Sequence, residues 1–133
     1  MTMHIYNSLS RTKEELRPIE PGHVKFYTCG PTVYNFAHIG NFRAYTFEDI
    51  LRRVILYNGL RVTQVMNLTD IDDKTIRGAQ ETGVPLKSFT KPYIDAFFDD
   101  LKALNIQPAE HYPAATDHIP EMIALIAKLF ERG

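Results

Sequence analysis

Between Tyr27 and Asn41 the chain runs YTCGPTVYNFAHIGN, with one cysteine ahead of a His-Ile-Gly-Asn tetrapeptide. His38 and Asn41 are three residues apart and share one side of a helical turn. There their side chains could donate hydrogen bonds to the phosphoryl oxygens of a nucleotide as negative charge builds on them. Gly40 has no Cβ and so lets a ligand approach the backbone closely. A helix start adds backbone N–H groups and a partial positive charge, which together suit phosphate. Cys29 brings a thiol beside this nucleotide site. Taken singly, the same residues have plainer uses: a capping or surface histidine, and a cysteine acting as a small buried hydrophobe at a strand end.

The surrounding sequence supplies the elements that would position them. Residues 24–28 (VKFYT) are a β-branched and aromatic run of strand type, punctuated by Cys29, Gly30 and Pro31. Beyond Gly40, the spacing of Phe47, Ile50, Leu51, Val54 and Ile55 predicts an amphipathic helix over about 42–58, stopping near Asn58 and Gly59. Residues 61–67 (RVTQVMN) predict a second strand. Strand, helix and strand form a right-handed βαβ unit of nucleotide-binding type, with the loop carrying His38 at the carboxyl end of the first strand. Further helices are expected near 73–82, 88–104 and 117–132. Asp70, Asp72 and Asp73 precede the first of these and read as helix-start acids rather than a metal cluster. Tyr93, Ile94, Phe97, Phe98, Leu101 and Leu104 give the second a wide apolar face, with Pro92 near its start, that reads as packing rather than a base-stacking platform. Thr116 or Asp117 is the expected cap of the third, with Ile119, Ile123, Ile126 and Phe130 on one face and Gly133 at its end. His118 reads as a surface residue.

With CGPTVYNFAHIGN followed by MNLTDIDDK at 66–74, and with the ordered match continuing from IYNSLSRTKEEL to ALNIQPAEHYPAATDHI, the chain closely resembles the N-terminal part of cysteinyl-tRNA synthetase, a class I aminoacyl-tRNA synthetase. The resemblance implies an α/β fold, the first half of a Rossmann-like catalytic domain. Residues 1–133 would be its N-terminal part and would reach the start of the connective insertion, with the anticodon-binding domain absent. It implies that Pro31, Thr32, His38, Ile39, Gly40 and Asn41 bind ATP, with His38 and Asn41 assisting catalysis. The fourth position of the signature is Asn here, not the His that names the HIGH motif, so a donor is kept and a possible positive charge is lost. Cys29 matches a zinc ligand of the family, and Cys29, Gly30 and Thr69 match residues around its amino-acid pocket. The implied chemistry is ATP-dependent activation of L-cysteine, with Mg2+ accompanying ATP, followed by transfer to tRNA(Cys). A soft thiolate ligates zinc far better than an alcohol, so a metal could separate cysteine from serine where an apolar pocket discriminates poorly. The remaining zinc ligands and the KMSKS-type lysine loop lie outside this chain, so half an active site is expected here, inactive alone. Two alternatives stand beside this one: a related cysteine ligase that passes the activated acyl group to a small amine, as in the mycothiol pathway, and a non-catalytic fragment that keeps the fold.

Composition bounds the rest. The chain has 133 residues, 44% of them hydrophobic, enough for one domain that buries roughly two-thirds of its unfolded surface. A single cysteine excludes an internal disulfide. No run is apolar enough for a membrane span and the opening residues lack a signal-peptide core, so a cytoplasmic protein, favoured as a monomer, is expected. Fifteen basic residues against sixteen acidic give a net charge of −1, and the sequence shows no basic stripe for a nucleic acid.

Overall fold

The computed structural model describes residues 3–133. An N-terminal hairpin pairs β1 (His4–Asn7) with β2 (Thr12–Glu15) in antiparallel register, from His4 opposite Glu15 to Asn7 opposite Thr12. No sequence pattern announces this hairpin, since TKEE carries no β-branched or aromatic alternation beyond its threonine and all four residues are exposed. Next come β3 (His23–Thr28), α1 (Ile39–Tyr57) and β4 (Arg61–Met66). The two strands lie parallel, with His23 opposite Arg61 and Thr28 opposite Met66, so the expected βαβ unit is present. Residues 111–114 run along the other side of β4. There the Met66 and Leu68 amides donate to the carbonyls of His111 and Pro113 at 3.0 and 2.9 Å.

Three more helices follow: α2 (Asp73–Thr82), α3 (Leu86–Ala103) and, after a short 3-10 turn at Ala115–His118, α4 (Ile119–Arg132). The start of α2 is fixed by Asp72, whose carboxylate accepts from the amides of Lys74 and Thr75 at 3.0 and 2.8 Å. Gly83, at φ +67°, closes the helix in the left-handed conformation that glycine adopts without penalty. Asp70 has a different task. It accepts from the Thr116 amide at 2.9 Å and from the Thr116 hydroxyl at 2.5 Å, tying the 3-10 turn to the loop after β4. Thr116 is thus held by Asp70 and does not cap α4, whose first turn has Pro120 and no side-chain cap. Pro92 lies well inside α3 rather than near its start.

Phe42 and Tyr45 of α1, Met66 and Leu68 at the end of β4, Phe97 and Leu101 of α3, and Ala109 form the core. Phe97 is 2% exposed, and burying such a side chain contributes roughly 2–3 kcal/mol. The apolar face of α1 differs from the predicted one. Ile55 is buried, but Phe47, Ile50 and Val54 are exposed, while Asp49 and Arg52 turn inward. The reason lies in residues 105–110. Arg52 grips Glu110 with both guanidinium nitrogens at 2.9 and 2.5 Å, Glu110 also accepts from the Gln64 amide of β4 at 2.7 Å, and Asp49 accepts from the Gln107 amide at 2.9 Å. A polar clamp therefore joins α1, β4 and the segment after α3, and its partners are too far apart in sequence for any periodicity to reveal. On α4 the expected face of Ile123, Ile126 and Phe130 is amphipathic but exposed.

The Arg52 guanidinium holds the Glu110 carboxyl down at about 2, against 4.5 for an ordinary glutamate. A carboxyl depressed by folding stabilises fully above its unfolded value and loses that contribution as pH falls toward the folded one. Solvent reaches a third of the Glu110 side chain, so about 1–2 kcal/mol survives screening. Glu110→Gln is therefore expected to cost about 1–2 kcal/mol in urea unfolding at pH 7, with the difference from the parent shrinking through the window from about pH 4.5 to about pH 2. An equal difference at both ends would show that the clamp is not electrostatic.

Candidate functional site

Parallel strands bring their carboxyl ends to one edge, and there two loops interlock. The Val33 amide donates to the Thr69 carbonyl at 3.1 Å, and the Thr69 amide donates to the Pro31 carbonyl at 3.0 Å. The Gly30 amide donates to Asn67 Oδ1 at 3.1 Å. A Cβ on Gly30 would lie 1.8 Å from the Asn67 carbonyl oxygen, so this close approach admits glycine alone. The loop after β3 is thereby held against the loop after β4.

A cavity of about 330 Å³ opens above this junction. Of the residues singled out by sequence, Gly30, Pro31, Thr32, His38 and Asn41 line it. Cys29 and Thr69 are not among its lining: Cys29 is an exposed free thiol just after β3, and Thr69 is half-buried, its hydroxyl accepting from Asn67 Nδ2 at 2.9 Å. Ile39 and Gly40 face elsewhere, onto an apolar hollow with Phe42, Phe47 and Leu104. Six further residues line it that sequence reasoning does not single out: Tyr34, Asn35, Phe36 and Ala37 of the loop, Tyr45 of α1 and Lys74 of α2. Tyr45 was legible in principle, one turn beyond Asn41 on the same helical face. Lys74 was not, because only the fold sets its ammonium 4.6 Å above the Tyr34 ring.

Geometry at the head of α1 decides which donors the cavity receives. The helix begins at Ile39, inside the tetrapeptide and ahead of the predicted start, with His38 as its N-cap. His38 Nδ1 accepts from the Gly40 amide at 3.0 Å, while Asn41 Oδ1 accepts from the His38 amide at 3.1 Å. The amides of Asn41 and Phe42 are already bonded to the His38 carbonyl. The expected cradle of free backbone N–H groups is therefore largely engaged within the helix. What remains is on the side chains. With Nδ1 accepting, the neutral ring carries its proton on Nε2, and with Oδ1 accepting, the Asn41 amide keeps both N–H groups. Each residue uses its acceptor to cap the helix and retains a donor.

Below them Tyr45 is buried, and its hydroxyl is pushed up to about 12, mainly by burial and further by the nearby Glu48 and Cys29. It stays a neutral phenol at physiological pH. Burial likewise raises the Glu48 carboxyl, opposed by a hydrogen bond from Thr28, and Glu48 Oε2 is enclosed with no partner among the described residues. For a metal the donors are too few. Among the described residues no group of three or more His, Cys, Asp or Glu side chains could hold an ion, so Cys29 has no set of about three protein ligands there of the kind a zinc centre needs.

Gly40 sets the ring of His38. A Cβ there would lie 2.8 Å from Cε1 and 3.0 Å from Nδ1, forcing the exposed imidazole aside. Gly40→Ala is expected to leave stability within about 1 kcal/mol, since alanine also improves helix propensity, yet to release the ring from its single tautomer. Ring nitrogen NMR shifts check this. The parent should show His38 protonated at Nε2 with Nδ1 accepting, and the variant a mixture; an unchanged tautomer in the variant would contradict the geometry.

Comparison with known proteins gives the family and the fold. The family described as tRNA synthetases class I (C) catalytic domain matches residues 15–133. A cysteine--tRNA ligase of Protochlamydia amoebophila is 62% identical over 130 residues, covering 98% of this chain and 27% of the relative. That of Chlamydia pneumoniae is 53% identical over 131 residues, again 98% and 27%. Among solved structures, a ternary complex of Agrobacterium radiobacter K84 agnB2 LeuRS with tRNA and LeuAMS superposes with a TM-score of 0.61 at 25% identity, over 74% of this chain and 13% of that one. The chain thus spans about a quarter of the length of the curated relatives it matches. Its α/β fold, its parallel strands and the family match across residues 15–133 together make the chain a member of the class I tRNA synthetase catalytic-domain family.

Proposed function

We propose that this chain provides the ATP-facing half of a cysteine--tRNA ligase active site, as the N-terminal part of the catalytic domain, with α4 opening the connective insertion and the anticodon-binding domain lying outside these residues. The observation that carries the reading is the pair of donors at the head of α1, His38 Nε2–H and the Asn41 amide, set on a cavity with Pro31 and Thr32 at the carboxyl ends of parallel strands. In open α/β sheets ligands bind at that edge. Relatives named cysteine--tRNA ligase, at 62% and 53% identity, support the substrate.

In the first step a carboxylate oxygen of L-cysteine bonds to the α-phosphorus of ATP, which enters with Mg2+, and the bond to the bridging oxygen breaks to release pyrophosphate. In the second, a hydroxyl of the terminal ribose of tRNA(Cys) attacks the carbonyl of cysteinyl-adenylate and AMP leaves. No protein nucleophile is required. His38 and Asn41 donate to phosphoryl oxygens as charge develops, and removing one such donor typically costs about 100-fold or more in rate. Ile39 and Gly40 support this set through the helix start; Gly40 in particular leaves room for the His38 ring. Gly30 and Thr69 hold the floor beside the amino-acid pocket. Cys29 is the zinc ligand this chain would contribute to a centre completed by residues beyond it. The protein works in the cytoplasm, as a monomer; among the described residues no helix is long and apolar enough to cross a membrane.

Cysteine-dependent ATP–pyrophosphate exchange tests the reading, with serine as control and transfer of labelled cysteine to tRNA as the second readout. The full gene product is expected to exchange with cysteine and not serine, and to charge tRNA, while the 133 residues alone do neither. Absence of exchange in the full gene product would overturn the proposal. Exchange without charging would favour a ligase acting on a small amine.

A further inference from the structure

Tyr45 lines the cavity although only 4% of it is exposed. Among the described residues its hydroxyl has no hydrogen-bond partner, yet it is not sealed off as Glu48 Oε2 is. A buried phenol ordinarily finds a partner, and leaving one unpaired costs stability. Phe42 and Phe97 meet the ring edge-on at 5.7 and 5.4 Å, so packing fixes where the hydroxyl stands. A ligand in the cavity would supply the missing acceptor.

The position of Tyr45 says which part of a ligand it meets. His38, Asn41 and Tyr45 fall at i, i+3 and i+7 along one face at the head of α1. The first two are exposed and Tyr45 is buried, about 6 Å of helix rise beyond Asn41. Burial, Glu48 and then Cys29 raise its hydroxyl, which puts the Cys29 thiol nearby, and Gly30, the neighbour of Cys29, lines the same cavity. Phosphoryl groups held by His38 and Asn41 therefore leave Tyr45 on the side where the amino acid is expected. No Asp or Glu lies on the lining among the described residues, so no carboxylate there repels an anion.

We infer that the Tyr45 hydroxyl donates a hydrogen bond to the α-carboxylate of the amino acid that the cavity receives. This rests on the proposed function, in which that carboxylate attacks the α-phosphorus of ATP. One carboxylate oxygen accepts from Tyr45 and the other is left to approach the phosphorus. Two anions must meet in that step, and a fixed donor on the carboxylate offsets their repulsion and sets the direction of approach.

The test uses the full gene product with Tyr45→Phe, which keeps the ring and removes the hydroxyl alone. Calorimetric titration with cysteine, and with cysteamine, which has the thiol and the ammonium but no carboxylate, reads the contact directly. Tyr45→Phe should weaken cysteine about tenfold or more, the usual loss for one hydrogen bond to a charged group, and leave cysteamine unchanged. In pyrophosphate exchange KM for cysteine should rise with KM for ATP unaltered. Thermal unfolding of the free protein should stay in place or move upward, since the hydroxyl removed had no partner. Equal weakening of cysteine and cysteamine would overturn the inference and assign Tyr45 to the fold or to another group of the amino acid. So would unchanged affinity for cysteine, or a rise in KM for ATP alone, which would assign the hydroxyl to the nucleotide. A parent gene product with no exchange would defeat the proposed function instead, and the two titrations would still decide whether Tyr45 meets a carboxylate.

Discussion

A helix start must satisfy backbone N–H groups that have no partner within the helix. In this chain that constraint is met by the same two residues that face the cavity. His38 accepts from Gly40 and Asn41 accepts from His38, so the orientation of both side chains is set by capping before any ligand arrives. A serine or aspartate at the N-cap would serve the helix as well, but neither would present an imidazole N–H. Asparagine in place of the histidine that names the signature keeps the balance, because an amide carries an acceptor for the helix and donors for the site.

Contacts around the parallel strands hold that helix start over the strand ends. The β3 and β4 pairing brings the two loops together, and the absent Cβ of Gly30 lets them touch. The Arg52–Glu110 clamp fixes the far part of α1 to β4 and to the segment after α3. Breaking one partner of such a pair leaves the other charge poorly compensated, which is more costly than never having had it. Asp70 does similar work past the carboxyl end of β4, locking Thr116 to the loop that follows it.

Local pattern made much of this legible. Strand type at 24–28 and 61–67, helix ends at Asn58 and Gly83, and the site tetrapeptide are all short-range features, and each lies within a few residues of its place in the structure. What stayed hidden depended on contacts between distant residues. Polar Asp49 and Arg52 face inward because Gln107 and Glu110 meet them, so α1 buries a different face from the one its apolar spacing suggested. Thr116 resembles a helix cap in sequence and is instead bound by Asp70, 46 residues earlier. Tyr34 and Lys74 join only through the fold. The exposed Ile123, Ile126 and Phe130 of α4 show that amphipathic spacing specifies a face without specifying a neighbour in these residues.

The central claim is that Asn41 has two separable jobs, an acceptor that caps the helix and a donor that faces the cavity proposed for ATP. Asn41→Asp divides them, since aspartate keeps the acceptor and suits the positive end of a helix but has no N–H to give. In the full gene product this variant should match the parent in thermal unfolding while its cysteine-dependent pyrophosphate exchange falls by about 100-fold or more. Undiminished exchange, or a loss of exchange that merely tracks a loss of folding, would contradict the account.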